Sequence, residues 1–209
     1  MDGVLIDSTP SVERVWHAWA LSHGLDPVRV AAQAHGRRSI ETIRAVAPHL
    51  DAARENVIVE EMEIADKAGV TALPGAADML RSLPPDRFAI VTSATRPLAV
   101  ARLGYANIPV PASIVTADDV VHGKPSPEPF LKGADLLGFA PAECLVFEDT
   151  PAGIAAARAA GMQVVALQTT YPVQQLQSAD AIIPSLACVT TVRGAVFLDL
   201  NLDPVCPGK

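Results

Sequence analysis

Residues 1–8 read MDGVLIDS, and the rest of the chain can be interpreted around them. The carboxylate of Asp2 is followed at once by a glycine, then by three apolar residues and by Asp7 and Ser8. Gly3 lets the backbone turn sharply at the end of a strand, so that backbone N–H groups can point at an anion. We interpret Asp2 and Gly3 as part of a phosphate-binding site. The alternative is an ordinary solvent-exposed carboxylate near a terminus.

The bulk composition indicates a globular protein. Of the 209 residues, 50% are hydrophobic and 19% are charged, which suits one large domain or a core with a smaller inserted domain. The net charge of -7 and the lack of a Lys/Arg cluster in the sequence argue against nucleic acid as a partner. The sequence shows neither a secretory signal nor a long apolar run, so we expect a cytoplasmic protein without membrane contact.

The hydrophobic pattern divides the chain into a helical part and an alternating part. From residue 9 to about residue 67 the sequence is typical of helices, and the stretch LPG at residues 73–75 then indicates a hinge. Beyond this hinge, short apolar strands alternate with helices, which predicts an α/β fold with a parallel sheet covered by helices on both faces. The strands are predicted at residues 88–91, 113–115, 144–147, 163–167 and 180–183.

Polar residues follow two of these strands at the point where each strand ends. Ser93 follows the strand at 88–91, and Glu148 and Asp149 follow the strand at 144–147. Lys124 lies in a loop just before a helix. Ligands of parallel α/β sheets bind beyond the carboxyl ends of the strands, so we expect these side chains to meet in one pocket.

The adjacent carboxylates Glu148 and Asp149 predict a cation site. Two carboxylates directly after a buried strand are costly unless a cation or water neutralises them. Oxygen ligands that converge on one edge of a sheet suit Mg²⁺. The alternative is that Asp149 merely caps the following helix, although Thr150 is also able to cap it and Pro151 suits its first turn.

Ser93 and Lys124 each have an ordinary and a functional interpretation. Ser93 could cap a helix or bind phosphoryl oxygens, and Thr92 is the neighbouring alternative. Lys124 could be a solvated surface charge, but the glycine and the proline that flank it would hold it on a rigid loop. A lysine held in this way would neutralise charge on a transferring phosphoryl group.

In order and spacing, Asp2-Gly3, Ser93, Lys124 and Glu148-Asp149 together resemble the motifs of the haloacid dehalogenase-like (HAD) phosphohydrolases, which have a Rossmann-like core. The resemblance implies that Asp2 is the general acid/base and that its backbone carbonyl binds Mg²⁺. It also implies that Asp149 binds the metal directly and that Glu148 is a further ligand or a partner of the ligands. The residues implied to bind phosphate are Gly3, Ser93, Ala94 and Lys124.

The opening motif of this family is Asp-x-Asp-Gly-(Thr/Val), and its first aspartate is the nucleophile. Met1 falls on the second position of the motif, so the nucleophile and the strand that carries it would lie just before Met1. Without that central strand, we expect unpaired edges on its neighbours and an unfilled place in the core. We therefore expect the natural polypeptide to begin upstream, and the 209-residue chain alone to have negligible phosphatase activity.

Residues 9–72 resemble the helical cap of the HAD subclass that carries its cap between the first two motifs, so the core would comprise residues 1–8 and 73–209. Within the cap, the stretch HGRRS at residues 35–39 resembles a segment of glycerol-phosphate and 2-deoxyglucose-6-phosphate phosphatases. This resemblance makes Arg38 a candidate substrate-facing residue, although Arg37 and Arg38 could be ordinary surface charges. His35 is a weaker candidate, and its alternative role is structural.

These observations predict Mg²⁺-dependent hydrolysis of the phosphate monoester of a small sugar or polyol through an aspartyl-phosphate. One alternative is a sugar phosphomutase of the same family, which would retain phosphate on its product. Another is a catalytically inactive HAD-fold binding protein. Haloacid dehalogenase chemistry is disfavoured, because it does not combine the Asp2 general acid with bound Mg²⁺. The expected partner is a small phosphorylated metabolite, and the sequence predicts no particular oligomeric state.

Overall fold

The structure is a computed structural model that describes residues 1–34, 36–192 and 195–198. Its helices are α1 (Thr9–Ser22), α2 (Pro27–Ala34), α3 (Ser39–Val46), α4 (Ala52–Ala65), α5 (Ala76–Ser82), α6 (Arg96–Tyr105), α7 (Glu128–Leu137), α8 (Pro151–Ala159) and α9 (Val173–Leu176). Its strands are β1 (Ile6–Asp7), β2 (Thr71–Ala72), β3 (Ile90–Val91), β4 (Ile114–Val115), β5 (Leu145–Glu148), β6 (Gln163–Leu167), β7 (Ala181–Ile183), β8 (Val189–Val192) and β9 (Ala195–Leu198). Within these described ranges, no helix combines the length and the apolar character needed to span a membrane.

The strands from β3 to β7 form two parallel ladders. β3 pairs with β4 through Ile90 opposite Ile114. β6 pairs with both β5 and β7, and Val165 lies opposite Phe147 on one side and Ala181 on the other. The predicted α/β fold with parallel strands is confirmed. An antiparallel pair of β8 and β9, which was not predicted from the sequence, follows these ladders.

The two parallel ladders are not hydrogen-bonded to each other within the described residues. An apolar cavity of about 160 Å³ is lined by Ile90 and Val91 of β3 and by Val146 and Phe147 of β5. In the described part of the chain, β3 and β5 therefore each have one edge without a strand partner.

Helices cover the ladders with apolar side chains. Leu103 of α6 belongs to the buried cluster that contains Ile90 and Ile114, whereas Ile154 of α8 belongs to the cluster that contains Val164. Burying each side chain of this size stabilises the fold by roughly 1.5–3 kcal/mol. The loops at the ends of the strands are therefore anchored to well-packed elements.

Helices α1 to α4 pack around an apolar cluster of their own. The buried indole rings of Trp16 and Trp19 meet edge to face, with 5.5 Å between their centroids and an angle of 72° between their planes. Ile43 of α3 and Val59 of α4 are fully buried in the same cluster. The two tryptophans are therefore packing residues of the helical part.

The chain enters and leaves the helical part side by side. β1 pairs antiparallel with β2, so that Ile6 lies opposite Ala72. The helical part, which comprises α1 to α4, also contacts the α/β part, which carries β3 to β7. The hydroxyl of Thr95 in the α/β part donates a hydrogen bond of 3.0 Å to the carboxylate of Glu60 on α4. The hydrogen bond places α4 against the loop that follows β3.

Candidate active site

The first residues fold into a tight turn. The carbonyl oxygen of Met1 accepts hydrogen bonds from the N–H groups of Leu5 (2.8 Å) and Val4 (3.2 Å). Gly3 adopts a φ of 66°, a conformation that favours glycine. A Cβ atom at Gly3 would lie only 1.9 Å from Oδ2 of Asp149, so the missing side chain lets the turn approach this carboxylate.

A polar cavity of about 80 Å³ lies where this turn, the ends of β3 and β5 and the helical part meet. Most of the site residues predicted from the sequence line it. They are Asp2, Gly3, Ser93, Ala94, Lys124, Glu148 and Asp149. Of the other two, Arg38 does not belong to the cavity lining, and His35 lies outside the described residues.

Glu148 is buried at the end of β5 and surrounded by donors. Its Oε2 accepts hydrogen bonds from the N–H groups of Asp149 (2.8 Å) and Thr150 (2.9 Å) and from the Thr150 hydroxyl (2.9 Å), while its Oε1 pairs with Lys124 Nζ. Burial alone would raise the pKa of Glu148, but the Lys124 ammonium and these hydrogen bonds lower it to about 2. A Cβ atom at Gly153 would lie 2.0 Å from Glu148 Cδ, so Gly153 makes room for this carboxylate.

Asp149 is buried beside Glu148 but is only partly hydrogen-bonded. Its Oδ2 accepts a hydrogen bond of 2.6 Å from Thr170, and its Oδ1 accepts none within the described residues. Burial and the neighbouring Glu148 carboxylate raise the pKa of Asp149 to about 7. Thr150 caps α8 by accepting a hydrogen bond of 3.0 Å from the N–H of Gly153, so Asp149 is not the cap of this helix.

Lys124 is not a solvated surface charge. Its side chain is 7% exposed, and its Nζ pairs with Glu148. The same nitrogen lies 5.0 Å from the centre of the Phe130 ring. The position of this cation at the cavity is therefore fixed by a carboxylate and by an aromatic face.

Asp2 is held between the α/β part and the helical part. Its Oδ1 accepts hydrogen bonds from Ser8 Oγ (2.7 Å) and from Arg102 Nη1 (3.1 Å). The buried guanidinium of Arg102 also lies 3.2 Å from the carboxylate of Glu63 on α4. Burial would raise the pKa of Asp2, but the Arg102 charge holds it below its usual value. Asp2 is therefore a carboxylate in this arrangement.

Ser93 does not cap α6, because the N-cap position of that helix is Thr95. The hydroxyl of Ser93 donates a hydrogen bond of 3.2 Å to the carbonyl oxygen of Gly36 in the helical part. Thr92, the neighbouring alternative, also lines the cavity, and its hydroxyl accepts a hydrogen bond of 3.2 Å from the N–H of Ala94. The loop after β3 thus borders the cavity and contacts the helical part.

The carboxylates at the cavity do not form a ready-made metal cage. Within the described ranges, no group of three or more His, Cys, Asp and Glu side chains is arranged to hold a metal ion. Both oxygens of Glu148 are already paired with donors, and the Asp2 carboxylate faces Arg102. Asp149 is the carboxylate of this set with an oxygen left to bind a cation.

Comparison with known proteins assigns the family. The sequence model of the haloacid dehalogenase-like hydrolases matches residues 1–161, well over half of the chain. The chain belongs to the HAD-like hydrolases. A hydrolase from Pseudomonas syringae shares the HAD-type fold with a TM-score of 0.79 at 25% identity, over 88% of this chain and 91% of that one. CbbY from Rhodobacter sphaeroides, in complex with phosphate, has the same fold with a TM-score of 0.78 at 21% identity, over 89% and 92% of the chains.

The HAD relatives include phosphatases of sugars and polyols. Hexitol phosphatase A of Escherichia coli is 42% identical over 198 residues, which cover 92% of each chain. Glycerol-1-phosphate phosphohydrolase 1 of Saccharomyces cerevisiae is 36% identical over 85% of this chain and 76% of its own. 2-Deoxyglucose-6-phosphate phosphatase 2 of the same yeast is 32% identical over 92% and 88%. The predicted resemblance to the sugar and polyol phosphatase subgroup is confirmed.

Sequence reasoning missed three partners of the HAD site residues, namely Arg102, Glu63 and Thr170. Thr170 comes shortly after β6, so the rule that ligands bind beyond the ends of the strands would have pointed to it. Arg102 shares the buried face of α6 with Leu98 and Leu103. A charged residue on an apolar helix face indicates a buried ion pair, and this signal would have singled out Arg102.

Proposed function

We propose that the protein uses Mg²⁺ to hydrolyse the phosphate monoester of a small sugar or polyol. The aspartyl-phosphate that is general in the HAD family would form on the first aspartate of the opening motif, the motif position before the one that Met1 occupies. The relatives are named for hexitol phosphates, glycerol 1-phosphate and 2-deoxyglucose 6-phosphate, which are all small esters rich in hydroxyl groups.

The observation that carries the proposal is the convergence of Asp2, Ser93, Lys124 and Asp149 on one cavity. The four residues come from four separate stretches of the chain, each at or near an end of a strand or the start of a helix. Together they offer a carboxylate, a hydroxyl, a fixed cation and a second carboxylate. This set fits a phosphoryl group and a divalent cation held side by side.

Asp149 and the backbone carbonyl of Asp2 are the proposed Mg²⁺ ligands. Asp149 is buried, keeps one oxygen unpaired within the described residues, and lies against Gly3, whose missing side chain brings the first turn close. Oxygen donors of this kind suit Mg²⁺. When bound, the ion neutralises charge that develops on the phosphoryl oxygens.

The proposed role of Asp2 is proton transfer, first as a general acid and then as a general base. Its carboxyl group gives a proton to the leaving alcohol oxygen and, as a carboxylate, takes one from the water that cleaves the aspartyl-phosphate. Ser8 and Arg102 favour the carboxylate form, which is the form that the second step needs. A positioned acid or base of this kind contributes ~10²–10⁴-fold to the rate.

Lys124 and Ser93 are proposed to hold the phosphoryl group. Because Lys124 is fixed by Glu148 and Phe130, its positive charge is in place before the substrate arrives. Gly3 and Ala94 line the same cavity and are proposed to contact the phosphoryl oxygens through their backbone. We also propose that residues 9–72 form the cap and that residues 1–8 and 73–209 form the core.

Release of inorganic phosphate tests this function. Protein expressed from its complete natural reading frame is incubated with Mg²⁺ and a hexitol phosphate, glycerol 1-phosphate or 2-deoxyglucose 6-phosphate. We expect release that EDTA abolishes and that Asp2→Asn lowers by about 10²–10⁴-fold. A folded protein that releases no phosphate from any of these esters overturns the proposal. Transfer of phosphate within a sugar, without release, would instead show the phosphomutase.

A further inference from the structure

The two adjacent arginines of the helical part have different surroundings. Arg38 donates hydrogen bonds from Nη1 to the carbonyl oxygen of Val121 (3.0 Å) and from Nη2 to that of Ala117 (2.9 Å). Both carbonyls belong to the α/β part, in the segment between β4 and α7. Arg38 therefore ties the loop between α2 and α3 to the α/β part, and both terminal nitrogens of its guanidinium are already engaged.

Gly36 brings the same loop into contact with the two loops that border the predicted phosphate and metal positions. Its carbonyl oxygen accepts the hydrogen bond from Ser93. Its φ is 75°, and a Cβ atom there would lie 2.6 Å from Cγ2 of Thr150, the residue after Asp149. Since Gly36 lies against these two loops and Arg38 is anchored beside them, Arg37 is held between two fixed points above the cavity.

Arg37 lines the cavity, and its side chain is exposed. The other two cationic side chains of the lining are paired with carboxylates, Lys124 with Glu148 and Arg102 with Glu63 and Asp2. Among the described side chains that line the cavity, Arg37 is the cationic one that has neither an ion pair nor a hydrogen bond. Burial raises the pKa of Tyr171, in the loop after β6, and the charges of Asp149 and Arg37 act on this pKa in opposite directions.

We propose that Arg37 is the residue of the helical part that binds the substrate, and that it contacts the hydroxyl oxygens of the alcohol portion. This inference rests on the proposed function. The groups proposed to hold the phosphoryl unit, Ser93 and Lys124, come from the α/β part. An esterified phosphate held there directs its carbon chain towards the helical part, where Arg37 offers five N–H donors. Arg38 is a positioning residue for this loop.

A binding measurement tests the role of Arg37 separately from catalysis. In an Asp2→Asn background, which slows turnover, calorimetric titration with Mg²⁺ present compares a hexitol phosphate with inorganic phosphate. We expect Arg37→Ala to weaken binding of the hexitol phosphate by about 10-fold or more, the effect of losing a hydrogen bond from a charged group. Binding of inorganic phosphate should change by about twofold or less. Arg37→Lys should recover part of the loss.

Arg44→Ala is the matched control, because Arg44 is an exposed arginine of α3 that does not line the cavity. Arg44→Ala should leave the affinities for hexitol phosphate and for inorganic phosphate unchanged. The inference is overturned if Arg37→Ala weakens both ligands equally, if it weakens neither, or if the parent protein binds hexitol phosphate no more tightly than inorganic phosphate.

Turnover distinguishes failure of this inference from failure of the proposed function. If the protein without the Asp2 change releases phosphate from the three esters while Arg37→Ala leaves their KM values unchanged, only the assignment of Arg37 fails. If it releases no phosphate, the proposed hydrolase function itself fails. If the assignment of Arg37 is correct, Arg37→Ala raises the KM for hexitol phosphate by about 10-fold or more. The KM for 4-nitrophenyl phosphate, which lacks the hydroxyl groups, stays nearly constant.

Discussion

Gly3 and Asp149 approach so closely that a Cβ atom on Gly3 would lie 1.9 Å from the Asp149 carboxylate. The contact joins the first turn of the chain to the end of β5. It is available only to glycine, because of both the contact itself and the φ of 66° at Gly3. The contact brings the first turn, which carries the backbone carbonyl of Asp2, next to the Asp149 carboxylate.

Gly3→Ala should lower stability and phosphatase activity together. A positive φ costs a non-glycine residue about 1–3 kcal/mol, and the clash with Asp149 adds to this cost. Gly24→Ala is the control, because Gly24 has the same φ of 66° and nothing lies within 4 Å of a Cβ atom there. Urea unfolding should show a larger loss for Gly3→Ala than for Gly24→Ala. Equal losses would mean that the close approach to Asp149 has no energetic consequence.

Removing Lys124 should leave Glu148 as a buried, partly uncompensated charge. The two side chains are 7% and 4% exposed, so Lys124→Met should destabilise the fold by about 3–5 kcal/mol. Adding Glu148→Gln should reduce this loss, because the neutral amide needs no cation. Urea unfolding of the two single variants and the double variant measures the coupling. Strictly additive losses would contradict the pairing.

Arg38→Ala should lower kcat/KM for every substrate, in contrast to Arg37→Ala. Without Arg38 the loop between α2 and α3 loses two of its hydrogen bonds to the α/β part, so the helical part is held less firmly against the cavity. We expect kcat/KM to fall by a similar factor for a hexitol phosphate and for 4-nitrophenyl phosphate. A loss confined to the hexitol phosphate would instead make Arg38 the substrate-contacting residue.

Asp119 should make stability depend on pH in the acid range. The hydroxyl and the N–H of Thr116 donate hydrogen bonds of 2.7 and 2.8 Å to its carboxylate and lower its pKa below the usual 3.8. The folded state therefore binds this proton less readily than the unfolded state, so the stabilisation is full above the ordinary pKa and is lost as the pH falls through the lowered value. Asp119→Asn should cost about 1–2 kcal/mol near neutral pH and less in acid. A loss of stability by Asp119→Asn that does not change with pH would contradict this prediction.

The parts of the site that are local in sequence could be predicted. The apolar run 144–147 followed by Glu148 and Asp149 indicates both a strand and a polar edge, and the glycine after Asp2 indicates a turn. β5 and Gly3 adopt these conformations in the structure. Patterns of this kind are read within a few residues, where backbone geometry and periodicity decide.

The contacts that depend on tertiary packing could not be predicted. Arg102 meets Asp2 across 100 positions of the chain, and no local pattern connects the two residues. Arg37 and Arg38 are equivalent in the sequence, yet only Arg38 reaches the carbonyls of the α/β part. The two arginines are distinguished by how the helical part lies against the core, and a linear pattern does not carry that information.

The Mg²⁺ dependence of phosphate release tests most directly whether Asp149 holds Mg²⁺ beside the phosphoryl group. The measurement is the Mg²⁺ concentration that gives half-maximal release from a hexitol phosphate, for the unaltered protein, for Asp149→Asn and for Asp135→Asn, which changes an exposed carboxylate on α7. We predict that Asp149→Asn raises this concentration by about 10-fold or more or abolishes release, whereas Asp135→Asn has no effect. Release that persists in EDTA, or a Mg²⁺ requirement that Asp149→Asn leaves unchanged, would contradict the account.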